Sequence, residues 1–282
     1  MKQLKIIIDF LIESNIWVAI SVVALLRISN ICFDIYENTT LQLFVFSSVV
    51  FGYNFMKHFT SQYLLDIKLM LSDFSLTFFY NFFKGLNPKK KLMFTINLIS
   101  VVISFICFFK LKLYTQLLVF IPLLLSIFYT ISFGNKTLRN VEGLKIYVVA
   151  ITWSIVTVLL PFKNSSLEFS VDFFLVFVQR FLFVVVLILP FEIRDFLQDP
   201  EQLRTVPQKI GIQKTKIYGF FLLLVFFGME FFKINKLDLN SIIILIVTLL
   251  FLLCANEKQS KYYSSFFIEG IPIMWFVTLL IF

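Results

Sequence analysis

Apolar residues run along the chain in long blocks, and polar residues gather in the gaps between them. A helix needs about 20 mostly apolar residues to cross a hydrocarbon core. Nine blocks approach that length: 14–33, 39–61, 92–109, 113–133, 145–162, 170–191, 215–232, 239–254 and 264–282. The blocks are continuous rather than alternating, and a helix satisfies its own backbone in lipid. The pattern therefore predicts an all-α polytopic membrane protein, nine transmembrane helices forming one domain over 1–282.

Composition strengthens this reading. Of 282 residues, 59% are hydrophobic and 15% charged, 39 are Phe, and the mean hydropathy is +0.91. Soluble domains hold roughly 45–50% apolar and about 25% charged residues. No small-residue cleavage site follows the first block, which reads as a span and not a signal peptide. Cys32, Cys107 and Cys254 lack metal or disulfide spacing and read as packing residues.

The net charge of +8 is unevenly placed. Lys2 and Lys5 precede the first block, whereas the loop after it carries Asp34 and Glu37 and no base. Lys68, Lys84 and Lys89 to Lys91 fill the second loop, Lys136, Arg139 and Lys145 the fourth, and Arg194, Arg204, Lys209, Lys214 and Lys216 the sixth. Basic loops stay on the cytoplasmic side. The expectation is an inner, cytoplasmic-type membrane with the N-terminus inside and Phe282 outside. The basic excess needs no nucleic acid partner.

One stretch carries candidate chemistry: "PFEIRDFLQDPEQLRTVPQKIG", residues 190–211. Glu192, Asp195 and Asp199 fall at i, i+3 and i+7, one stripe if the sixth helix runs past Pro190. Hard oxygen ligands suit Mg²⁺, and Arg194, Arg204 and Lys209 are placed to grip an anion that the metal bridges. The plainer reading is a solvated charged loop anchoring the end of a span. "FSLTFFYNFFKGLNPKKK" reads as an interfacial helix or an amphipathic connector. Gly-rich phosphate loops, Ser/His/Asp sets and Cys/His metal spacings do not occur.

"EIRDFLQDPEQLRTVPQKIG" resembles the second acidic motif of the UbiA superfamily of intramembrane prenyltransferases, D-x-R-D-x-x-x-D followed by R-T-x-P and L-G. Arg194, Asp195, Asp199, Arg204, Thr205, Pro207 and Gly211 match, with Glu192 in place of Asp. "YTISFGNKTLRNVEGLK" is similar to the connection between the family's fourth and fifth helices, and Glu269 in the last span fits its layout. The resemblance implies a bundle around a lipid-open cavity that binds a polyprenyl diphosphate. It also implies transfer of the prenyl group to an aromatic or lipid acceptor, with Mg²⁺ stabilising the departing pyrophosphate.

The first family motif, N-D-x-x-D-x-x-x-D, has lost its acids. In "NFMKHFTSQ" Asn54 matches, and Phe55, His58 and Gln62 stand at the three Asp positions. At most one Mg²⁺ is expected, held by Glu192, Asp195 and Asp199. Asn54, His58 and Gln62 share one helix face, and Lys57 and His58 are candidates to supply fixed positive charge in place of the lost metal. The alternative is that Lys57 snorkels and His58 bonds a neighbour. Arg180, mid-span, is expected to face a partner within the bundle. Two functions stay open: a Mg²⁺-dependent prenyltransferase, or an inactive isoprenoid-binding or partner-docking subunit. A transporter is disfavoured for want of an internal repeat.

Overall fold

The computed structural model describes residues 2–58, 87–130, 141–233 and 239–281, without the side chains of Lys2 and His58. These residues form helices and no strand. In order they are α1 (Lys2–Glu13), α2 (Ile16–Cys32), α3 (Thr39–His58), α4 (Pro88–Phe108) and α5 (Leu113–Thr130). Then come α6 (Lys145–Asn164), α7 (Val171–Arg194), the short α8 (Val206–Ile210), α9 (Ile212–Glu230), α10 (Leu239–Cys254) and α11 (Tyr263–Ile281).

Every predicted block is helical where it is described, but the block count and the span count differ. Seven helices are long and apolar enough to cross a membrane, or eight if α1 and α2 make one bent span. The pair turns by 70° at Ser14–Asn15, and α10 has only 16 residues. The break falls at the start of the first block, and the helix α1 ahead of it is one that the apolar pattern did not anticipate. Asn15 adopts the left-handed conformation, φ 57°, which Asn tolerates better than most residues. Two amides then hold the corner: Asn15 Nδ2 donates to Asn54 Oδ1 at 2.8 Å, and Asn54 Nδ2 donates to the Ser14 carbonyl at 2.9 Å.

Other boundaries follow from local chemistry. α4 starts at Pro88 because Asn87 Oδ1 accepts from Lys90 N at 2.9 Å and Pro88 surrenders an N–H that a helix start leaves unpaired. Ser170 caps α7 in the same way through Phe173 N. α6 accommodates Pro161 with a π-helical turn at Ile155–Leu159 just before it.

Helix direction alternates from α2 through α7 and on through α9, α10 and α11. One end of the bundle gathers the ends of α3, α7 and α10 with the starts of α2, α4, α6, α9 and α11. There Lys57 Nζ donates to the Glu13 carbonyl, Lys89 pairs with Glu13, Arg194 reaches Ser264, and Lys216 reaches the Leu253 carbonyl. The opposite end is tied by Lys112 to Ser166, Phe33 on Phe162, and Gln179 to Glu230.

α7 is the core helix: 61% of its apolar window is buried, against 11% in α5. Phe183, Val184, Val185, Val186 and Leu189 pack among Leu25, Ile146, Leu223, Ile244 and Leu252. Gly219 is required in α9, because a Cβ there would stand 2.4 Å from Leu252 Cδ2 and 2.9 Å from Leu189 Cδ1. The outer faces of α4 and α5 expose Leu98, Val102, Phe105, Leu117 and Phe120, as a lipid-facing surface does.

Candidate functional site

α7 does continue past Pro190. Its helix runs to Arg194, and Asp195 N and Asp199 N still bond four residues back, at 2.9 Å to Phe191 O and 2.8 Å to Asp195 O. The three acids do not act as one group. At roughly 100° per residue, i+7 returns almost to the starting azimuth, whereas i+3 falls about 60° short. Glu192 and Asp199 accordingly meet at one cation, the Lys145 ammonium, which lies 3.9 Å from Glu192 Oε1 and 3.3 Å from Asp199 Oδ2. Asp195 is instead clasped by its neighbour Arg194, with contacts of 2.7 and 3.0 Å.

Two loops close over this pair. Beyond Asp199 the chain makes a single 3₁₀ turn and reverses at Arg204, φ 40°. It then enters α8, where Val206 N donates to Glu192 Oε2 at 3.2 Å and Gln208 Nε2 to the Asp199 carbonyl at 2.9 Å. The Gly-Leu-Lys segment docks on this loop: Gly143 N donates to the Leu203 carbonyl at 3.1 Å, and Arg204 pairs with Glu142 at 3.1 Å. Gly143 has φ +67°, and a Cβ there would come within 3.1 Å of Lys209 Nζ and 3.4 Å of Arg204 O. The positive φ, which residues with a side chain rarely adopt, is what glycine supplies where the two loops touch. The exposed Lys209 makes no ion pair among the described residues.

Among the described residues no three His, Cys, Asp or Glu side chains converge to hold a metal. In place of one triad, Glu192, only 2% exposed, and Asp199 share the Lys145 ammonium and Asp195 pairs with Arg194.

A second set of charged and polar groups links α3, α7 and α11. Glu269 of α11 lies deep in the bundle yet keeps accessible surface, and it feels the positive charges of Arg194 and Lys57. Tyr53 of α3 interacts with the same carboxylate and accepts a hydrogen bond from Trp153 Nε1 at 2.9 Å. Ser21 bonds the Glu269 backbone carbonyl, and Trp17 Nε1 donates to Phe266 O at 2.8 Å, fixing α11 against α2.

No protein-family model, curated protein or solved structure matches the chain. The predicted site residues must therefore be judged on placement alone. Glu192, Asp199, Arg204 and Lys209 assemble at one loop cluster, and Arg194 faces Glu269 beside it. Asn54 is fully buried and spends its amide on the α1–α2 corner. Lys57 shares the Glu269 field but donates to the Glu13 carbonyl at 3.2 Å. The His58 side chain and Gln62 lie outside the described residues, as does residues 59–86 of the second loop. Sequence reading missed Lys145 as the shared cation, although it had picked out the Gly-Leu-Lys segment, and it gave Glu269 no role beyond layout.

Proposed function

We propose that the protein is a divergent UbiA-type intramembrane protein that captures a polyprenyl diphosphate at the loop-covered end of the bundle. The reading counts α10 as a crossing helix, giving nine, and sets the loop-covered end at the cytoplasmic face. Basic residues support that orientation, since Lys89 to Lys91, Lys145, Arg194, Arg204, Lys209, Lys214, Lys216, Lys258 and Lys261 lie in elements at that end.

The observation that carries the proposal is the docking of residues 142–145 on residues 199–209, around the buried Glu192 carboxylate, with the cations Arg194 and Lys57 acting on Glu269 nearby. Lys209 supplies a cation without a carboxylate partner among the described residues, and Arg204, paired with Glu142 at the surface, supplies a second that an anion would share. A diphosphate carries two or more negative charges, and fixed cations in a partly dehydrated site meet that charge. Because each of the three acids already has Lys145 or Arg194 as a partner, binding independent of added metal is the expected behaviour, without turnover.

A second reading, prenyl transfer to an aromatic or lipid acceptor, is favoured by one observation. Glu192 and Asp199 remain side by side at the end of α7, where a metal would compete with Lys145 for them. One experiment separates the readings: purified protein receives a labelled prenyl diphosphate with and without magnesium, and both retention and pyrophosphate release are measured. Retention without release, insensitive to magnesium, supports capture. Magnesium-dependent release abolished by Asp199→Asn supports transfer. No retention in either condition rejects both.

A further inference from the structure

At the end of the bundle away from Glu192, a cavity of about 200 Å³ opens between α2, α7, α9, α10 and α11. Arg180 of α7 lines it, 3% exposed. It sits nine residues into the helix, about 13 Å from its start at 1.5 Å per residue. Its guanidinium donates to the Leu25 carbonyl at 2.9 Å and to Ser29 Oγ at 3.0 Å. Those bonds use two of five N–H groups, and no carboxylate pairs with Arg180 among the described residues. Glu230 shares the wall, but its carboxylate is taken by Lys233 at 2.7 Å and Gln179 at 2.9 Å.

A second wall residue makes the same demand. Trp275 of α11 is 6% exposed, lines the cavity, and its indole N–H finds no acceptor among the described residues. Its ring lies 5.6 Å from the Arg180 guanidinium carbon. A buried donor left unpaired costs about 1–3 kcal/mol, and a buried charge without a counter-charge costs more. Both deficits are of donors, so both are met by one acceptor that carries negative charge. Asp172, Gln179, Lys233 and Ser241 also reach the wall, and the remainder, Phe226, Val176 and Leu279 among it, is mainly apolar.

We propose that this cavity binds the anionic head group of a lipid or fatty acid, with Arg180 and Trp275 as its donors. The volume is smaller than the roughly 300–1,000 Å³ of pockets for drug-sized ligands. It suits a carboxylate or phosphate with the first carbons of its chain, the remainder lying in the bilayer. The site stands twelve residues from Glu192 along α7, roughly 18 Å, so it is independent of the proposed diphosphate site.

The test uses full-length protein in neutral-lipid nanodiscs, labelled with ¹⁵N at its three tryptophan indoles. Trp275→Phe identifies the Trp275 resonance by deleting it. Dodecanoate or dodecyl phosphate is expected to move that resonance saturably, and dodecanol is not. The tighter of the two anions identifies the source as a fatty acid or a lipid phosphate. Arg180→Lys, which keeps the charge and loses the planar fork, is expected to weaken binding about tenfold. If that variant does not fold, Trp275→Phe decides through calorimetry, by weakening anion binding several-fold. Movement by dodecanol equal to that by the anions, or none by either anion, overturns the proposal.

Discussion

The Lys145 ammonium stands 3.3 Å from the carboxylate of Asp199, and the same nitrogen lies 3.9 Å from Glu192. One lysine at the start of α6 thereby serves two acids at the end of α7 and sets the electrostatics of the whole loop cluster.

Lys145→Gln leaves Glu192 buried without its cation. Stripping one partner from a buried pair costs about 3–5 kcal/mol, and the partial exposure of Lys145, 21%, lowers this to about 1–3 kcal/mol. Thermal unfolding in detergent is expected to show the loss. Magnesium is expected to raise the midpoint of the variant and leave the wild type unmoved. An equal magnesium response in both would remove Lys145 from its assigned place.

Asn54→Ala deletes both amide contacts that hold the α1–α2 corner and orphans Asn15 Nδ2 and the Ser14 carbonyl. A loss of about 2–4 kcal/mol is expected, at one to two per stranded group. Asn54→Asp keeps the acceptor for Asn15 and is expected to cost less, unless the new charge stays ionised in its buried position. Chemical denaturation of the two variants side by side checks the order.

Gly219→Ala drives a methyl into Leu252 and Leu189, where α9 meets α10 and α7. Overpacking of this kind typically costs about 1–3 kcal/mol. Leu252→Ala alone opens a cavity and is itself destabilising. Combined with Gly219→Ala it is expected to cost less than the two separate losses added together, a coupling that a double-mutant cycle reads directly.

Lys57→Met removes an exposed cation beside Glu269. Anionic diphosphate is then expected to bind several-fold more weakly. Titration of a labelled prenyl diphosphate at low and high salt measures the loss, and salt is expected to shrink it, since Lys57 is exposed.

Much of the architecture was legible in the chain because long apolar blocks leave few choices in lipid. The Asn87–Pro88 start of α4 is likewise written in residue types that cap helices. The corner at Ser14–Asn15 was not: a three-residue polar interruption, Glu13 to Asn15, looks like the margin of a span until Asn54 is seen to cap it. For the site, the spacing of Glu192 and Asp199 foretold their proximity. The partner Lys145 lies 47 residues before Glu192 on another helix, and only packing brings it there. Arg180 announced its need for a partner, yet the partners are a carbonyl and a hydroxyl of α2, which no charge pattern reveals.

α1 is fastened by Asp9 to Lys261 at 3.0 Å and to the Tyr262 hydroxyl at 2.7 Å, a contact spanning 253 residues. This latch on α1 therefore waits for residues made some 250 positions later. At about 5–20 residues per second that interval is roughly 13–50 s. Through that interval the contacts of Glu13 with Lys57 and Lys89 are the polar ones available to hold α1 among the described residues, so its N-terminal half is one of the last parts of the bundle to be secured.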